Sequence, residues 1–209
     1  MTRTSLLLAL LVVAVIAGLP LLVLDERGRA YRNFRVVDEG KLYRSGQMSS
    51  AGFERVCNEK GIRTVISLRE ASDDPADKKR MEAEEAYCNR QKPPIVWKAF
   101  EPMGWEPDAA GVVPMEANLR AFEDLIDQKD EKGEYTLPRP ILIHCFAGIH
   151  RTGAHVAVYR MKYDGYTNAE AVAELKGCGK LTTTYDGNLI PFVLRYRPTR
   201  KVADADWRP

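Results

Sequence analysis

The chain has 209 residues, 45% of them hydrophobic and 29% charged, with 31 Lys and Arg against 29 Asp and Glu for a formal net charge of +2. That length holds one ordinary globular domain with a real core, and the composition excludes a disordered or wholly membrane-embedded chain. No clustered basic stripe is present, which argues against nucleic acid as a partner. Cys57, Cys88, Cys145 and Cys178 lie far apart. With no Cys-x-x-Cys pair and no His/Cys cluster at zinc spacing, they are read as reduced thiols, and no metal or other cofactor is expected.

In chain order, residues 6–24 form an apolar run broken only by small residues and Pro20. Its length matches the about 20 residues a bilayer-spanning helix needs. It is read as an uncleaved anchor, residues 1–25, in preference to a signal peptide cut near Val15-Ile16-Ala17. Arg27, Arg29, Arg32, Arg35 and Lys41 follow the run, against Arg3 and the α-amine before it. Such an excess places the domain of residues 26–209 on the cytoplasmic side of a membrane.

Asn33–Val37 and Lys41–Ser45 flank Asp38-Glu39-Gly40 and predict a hairpin. Ile62–Leu68 is β-branched and predicts a buried strand, and Ala76–Gln91, ended by Pro93-Pro94, a charged helix. Ile95–Phe100 predicts a second core strand. Met115–Lys129 carries Leu119, Phe122, Leu125 and Ile126 at helical spacing. Ile141-Leu142-Ile143 predicts a third core strand, and helices follow at Thr152–Tyr163, Asn168–Lys176 and near Asn188–Tyr196. Alternation of strands and helices predicts an α/β domain: a central, largely parallel sheet flanked by helices and preceded by the transmembrane helix. Ligands of such sheets bind beyond the carboxyl ends of the strands. Here those ends lead into Arg69-Glu70, Glu101 and His144-Cys145.

The third strand delivers Cys145 into the loop Phe146-Ala147-Gly148-Ile149-His150 and then into a helix beginning near Arg151-Thr152-Gly153. A helix start offers unpaired amides and the positive end of the dipole, which bind an anion and favour the thiolate form of a cysteine. Arg151, six residues after Cys145, can fold its planar fork over the same pocket and hold two phosphate oxygens. Gly148 permits the tight turn that aims successive amides inward. Thr152 can donate its hydroxyl to the departing thiolate, and His144 braces the loop. These residues imply covalent catalysis through a cysteinyl-phosphate intermediate.

The run His144-Cys145, five residues, Arg151-Thr152 resembles the signature of the protein tyrosine phosphatase superfamily. Together with Leu42-Tyr43-Arg44-Ser45-Gly46-Gln47 and Gly61-Ile62-Arg63-Thr64-Val65-Ile66-Ser67-Leu68-Arg69 it resembles the compact atypical dual-specificity phosphatases, over about residues 31–165. The resemblance implies a metal-free phosphatase with Cys145 as nucleophile, Arg151 and the loop residues Phe146, Ala147, Gly148, Ile149, His150 and Thr152 holding the phosphate, and an Asp as general acid. Trp105-Glu106-Pro107-Asp108 looks like a Trp-Pro-Asp loop with one inserted residue, so Asp108 is the chosen acid. Glu101, nearer the strand end, is the alternative. Arg44 and Arg69 resemble pocket-lining positions, with surface roles as an equal reading. His155 is read as structural, and Cys88 as a partner for oxidised Cys145 only in principle. Rhodanese and arsenate reductase also end a cysteine loop in arginine, but the Arg-Thr-Gly continuation disfavours them. Family members that act on inositol polyphosphates tend to carry Lys or Arg inside the loop, and this loop has none before Arg151. The resemblance therefore implies singly phosphorylated groups as substrates, phosphotyrosine or phosphoserine and phosphothreonine of proteins, or a small phosphomonoester. Inositol phosphates, phosphoinositides or a silent phosphate-binding module are the alternatives.

Overall fold

A computed structural model describes residues 28, 30–69, 75–101, 103–181 and 187–199. The elements run β1 (Arg35–Asp38), β2 (Leu42–Ser45), α1 (Ser50–Glu59), β3 (Thr64–Ser67), α2 (Pro75–Arg90), β4 (Val96–Ala99), α3 (Met115–Asp127), β5 (Ile141–His144), α4 (His150–Tyr163), α5 (Asn168–Gly177) and α6 (Leu189–Arg195). The strands form one sheet in the order β1-β2-β5-β3-β4.

Side chains alternate across this sheet as the strand period requires. Tyr43, Val65 and Leu142 join the residues of α1 and α2 in one core, with Phe53, Val56 and Cys88. Leu42, Ile66, Ile141 and Ile143 pack on the other face against Phe122 and Ile126 of α3 and Val156 and Tyr159 of α4. Val65, Ile66, Leu142 and Ile143 are wholly buried, each worth about 1.5–3 kcal/mol over exposure. A third cluster seals α4 against α5 and α6 through Ala154, Val158, Val172, Leu175, Leu189 and Phe192.

Two expectations are corrected. The sheet is mixed rather than largely parallel: β1 pairs with β2 antiparallel, while β2–β5, β5–β3 and β3–β4 are parallel. The physical reason is the connection: Glu39–Lys41 is a tight turn, and only antiparallel neighbours can be joined without a long crossover. The single-pass membrane anchor, and with it the cytoplasmic placement of the domain, is not supported either. Among the described residues no helix is long and apolar enough to cross a membrane, and residues 6–24 lie outside them.

The core strands and the helices at α2 to α6 fall within a few residues of their predicted places. Helix α1 was not expected. Ser49 caps it by accepting from the Gly52 amide at 3.2 Å.

Parallel register brings Ser45, His144, Ser67 and Ala99 into one row at the same end of four strands. Cys145 follows directly, and α4 starts five residues on and runs back beneath the sheet. His155 lies on the inner face of α4. Its ring meets Phe122 edge-on at 5.0 Å, and its Nδ1 is 2.8 Å from the Arg151 carbonyl oxygen. Burial pushes its imidazole down from 6.5 to about 4, opposed by that backbone contact.

Between those two values the unfolded chain binds a proton that the folded chain refuses, so stability falls as pH drops through the window and is fully present above it. The expected loss is about 3 kcal/mol. Urea midpoints from pH 7 to pH 4 should therefore fall more steeply for the native chain than for His155→Leu. Equal slopes would refute this.

Candidate active site

The site is a loop held from outside by its carbonyls. Phe146 O accepts from the Gln47 amide at 2.9 Å. Ala147 O accepts from Asn33 Nδ2 at 3.0 Å, and Gly148 O from Arg44 Nη2 at 2.8 Å. With three successive carbonyls satisfied by the framework, the loop amides are left to the opposite side, where an anion nest forms. The Gly148 amide already donates to Cys145 Sγ at 3.2 Å. Helix α4 adds its own first amides, since Ile149 at its N-cap makes no side-chain cap.

Two glycines make this closeness possible. Gly148 has φ +71, and a Cβ there would sit 2.4 Å from the Gly46 nitrogen. A Cβ on Gly46 would in turn meet the carbonyl atoms of Phe146 and Ala147 at 2.9 Å.

Arg151 is half-buried at the start of α4, and its Nη1 donates to Leu68 O, just past β3, at 3.4 Å. That holds the guanidinium over the same strand ends as Cys145. Thr152 is wholly buried, and its hydroxyl has no hydrogen-bond partner among the described residues. The hydroxyls of Ser45 and Ser67, on the strands either side of His144, are likewise buried and unpartnered. Phe146 is 46% exposed at the mouth, whereas Ala147 and His150 are half-buried. Ile149 is half-buried against Gly179. Cys145, Phe146, Ala147, Gly148, Ile149, His150, Arg151 and Thr152 are thus one contiguous cradle.

Arg44 and Arg69 do not face it as free cations. Arg44 is 1% exposed beneath the loop, and burial pushes its pKa below the ordinary value against the opposing pull of Cys178, Glu174 and Cys145. Arg69 is 5% exposed, with Nη2 2.7 Å from Asp77 Oδ2 and Nη1 donating to Gln47 Oε1 at 2.7 Å. Gln47 Nε2 donates to Glu84 Oε1, whose other oxygen lies 3.3 Å from His144 Nε2. Gln47, Glu84 and Asn33 are the site residues the sequence reading missed. Asn33 takes φ +52, a conformation that Asn tolerates and most residues avoid, which only the folded chain reveals.

Both acid candidates are exposed loop carboxylates. Asp108 is exposed, and its Oδ1 accepts from the amides of Ala110 and Val112 at 2.9 Å each. Glu101 is exposed two residues past β4, on the same sheet edge as Cys145. Among the described residues neither carboxylate bonds to the cradle. All four cysteines are free and buried. Burial pushes the Cys88 thiol up to about 12, which suits a core residue and not a redox partner. Among the described residues no group of His, Cys, Asp and Glu could hold a metal ion.

A cysteine at a strand end, an amide nest and an arginine at the following helix start define a phosphatase of the protein tyrosine phosphatase superfamily, of compact atypical dual-specificity type and hence a hydrolase. The chain belongs to the family described as DSP-PTPase phosphatase fused to NAD+ kinase, whose model matches residues 25–186. Among curated proteins, none matches. The fold is similar to the Siw14 catalytic core, at 17% identity and a TM-score of 0.52 over 80% of this chain and 86% of that one. It is similar to the core catalytic domain of the PP-IP phosphatase SIW14 from S. cerevisiae, solved with citrate, at 18% identity and a TM-score of 0.51 over 79% and 85%. It is also similar to TpbA from P. aeruginosa in complex with pTyr, at 19% identity and a TM-score of 0.51 over 80% and 90%.

Gly148→Ala places a methyl group against the Gly46 backbone in a backbone conformation that alanine resists. The expected result is a fall in kcat/KM for a small aryl phosphate on the order of 10²-fold with the fold retained, judged by circular dichroism. Activity within a few-fold of the native chain would refute the tight-loop account.

Proposed function

We propose that the chain hydrolyses phosphomonoesters of proteins, on phosphotyrosine or phosphoserine and phosphothreonine, through a cysteinyl-phosphate intermediate. The observation that carries this reading is the cradle itself, in which the Gly148 amide and Cys145 Sγ meet at 3.2 Å at the start of α4. The Cys145 thiolate attacks phosphorus, forming an S–P bond as the ester P–O bond breaks. The leaving oxygen takes a proton from an acid, assigned to Asp108 with Glu101 as the competing carboxylate. Water then attacks the cysteinyl phosphate, returning its proton to that carboxylate and releasing phosphate from the regenerated thiolate. Arg151 and the loop amides hold the equatorial oxygens through both steps, so catalysis is positioning and charge stabilisation without a metal. Thr152 supports the thiolate as leaving group in the second step.

The substrate class rests on the loop's composition. Phe146, Ala147 and Ile149 stand where a polyanion-selective site would place Lys or Arg. Each missing cation near a polyphosphate forfeits on the order of 1 kcal/mol. A flat peptide substrate is compatible with the exposed Phe146 at the mouth.

The decisive experiment compares native and variant chains on an aryl phosphate, with and without chelator. Cys145→Ser should lower turnover by on the order of 10³-fold or more while retaining phosphate-analogue binding. Arg151→Lys should lose both, because a point charge replaces a bidentate fork. Native-like hydrolysis by Cys145→Ser, or its loss on chelation, would sink the mechanism. Specificity constants for a phosphotyrosine peptide and inositol hexakisphosphate decide the substrate class, and an advantage for the inositol compound overturns it.

The acid is tested by leaving-group dependence. Asp108→Asn should slow alkyl phosphates by on the order of 10²-fold and activated aryl phosphates far less, since only poor leaving groups need the proton. If Glu101→Gln shows that pattern instead, the assignment passes to Glu101.

A further inference from the structure

The loop supplies no Lys or Arg before Arg151, Arg44 is spent beneath it, and Arg69 is neutralised by Asp77. Arg69 also reaches the Phe146 ring, 5.3 Å from its centroid, but Asp77 and Gln47 hold its fork. A third arginine, outside the signature, reaches the mouth as well. Arg32 sits in the turn Tyr31–Asn33, with its guanidinium carbon 4.2 Å from the centroid of the Phe146 ring. That turn is pinned to the loop at two points. Arg32 O accepts from the Gly46 amide at 2.7 Å, and Asn33 Nδ2 donates to Ala147 O at 3.0 Å. Arg32 is thereby held beside the residue that directly follows Cys145.

Its charge is unspent. Among the described residues no carboxylate pairs with the Arg32 guanidinium, and Phe146 is its ring contact. Contact with an aromatic face uses none of the five N–H donors in hydrogen bonds, so the fork stays available to an anion. The half-buried position and the pinned backbone restrict where the side chain can reach, which is what a specificity contact needs.

We propose that Arg32 is a specificity-determining residue: it binds the carboxylate of an acidic residue flanking the phosphorylated residue, while Phe146 fixes the guanidinium's position. This rests on the reading of the chain as a protein phosphatase. Arg32 thus supplies from the N-terminal turn the second cation that the loop lacks, beside the residue that directly follows Cys145.

Two phosphotyrosine peptides of equal length, one with Glu and one with Gln beside the phosphotyrosine, read this directly. The native chain should prefer the acidic peptide. Arg32→Gln should reduce the acidic-to-neutral ratio of kcat/KM by about tenfold, with the change carried by KM, and Arg32→Lys should recover part of it. Raising the salt should shrink the native ratio. An equal fall on both peptides would mean that Arg32 only packs against Phe146, and an unchanged ratio would mean that it meets no carboxylate. Either result overturns the inference. A native preference for an inositol polyphosphate over both peptides overturns instead the protein-phosphatase reading, whatever the Arg32 ratio shows.

Discussion

Everything at the site depends on three donors that hold three consecutive carbonyls. The Gln47 amide, Asn33 Nδ2 and Arg44 Nη2 take Phe146, Ala147 and Gly148 O in turn. Backbone polar groups near a protein's interior must be satisfied somewhere, and satisfying the carbonyls on the outer side commits the amides to the inner one. The donors come from three different segments: the N-terminal turn, β2 and the stretch after it. The loop's shape is therefore imposed by tertiary structure. Arg44 carries the steepest cost, because a buried guanidinium gives up its hydration for one direct hydrogen bond and the nearby charge of acidic and thiol groups.

This explains what could be read in the sequence. His144, Cys145, Gly148 and Arg151 were legible because the chemistry needs fixed spacing within one strand–loop–helix unit, and chain order carries that spacing. The core strands were legible from β-branched runs, and α4 from its place after the loop. The donors were not, since Asn33 and Gln47 lie 114 and 99 residues from their carbonyl partners, and no local pattern marks such contacts. Arg44 was noticed by resemblance, as pocket lining or as a surface residue, and it lies buried beneath the loop on the Gly148 carbonyl. Helix α1 was missed although Phe53, Val56 and Cys57 stand at the spacing of one helical face, a short stripe within only ten residues. The antiparallel β1–β2 pair was legible too, because Asp38-Glu39-Gly40 leaves room only for a tight turn between the two short strands.

The charged residues buried away from the cradle show the same division of labour. Glu123 on α3 is wholly buried and accepts from Tyr196 OH at 2.7 Å and from the Thr199 amide at 3.1 Å. Arg120 Nη1 at 3.1 Å and Lys162 Nζ at 3.4 Å complete its partners. One carboxylate thus ties α3, α4 and the segment after α6 together, and leaving it unpaired would be strongly destabilising. That knot lies on the face where α3 and α4 pack. It secures the helix whose first turn forms the anion site, without touching the site.

On the other face, a polar network does the work that apolar packing usually does. Helix α2 buries only Glu84, Tyr87 and Cys88 along its 16 residues, too thin a stripe to fix a charged helix by hydrophobic contact. Asp77 near its start holds Arg69, and Glu84 further along holds Gln47 and approaches His144. Gln47 is the shared member: its side chain joins Arg69 to Glu84, while its own amide holds Phe146 O. The position of α2 and the shape of the loop are therefore set by the same few side chains. Loss of Asp77 would leave the buried Arg69 guanidinium poorly compensated, at a cost below the ~3–5 kcal/mol of a fully desolvated pair because Asp77 is partly exposed. Loss of Glu84 would leave the Gln47 side-chain amide unpaired, at about 1–3 kcal/mol. A polar helix with no obvious core face is thus kept in place by the same residues that, through Gln47, hold the Phe146 carbonyl of the Cys145 loop.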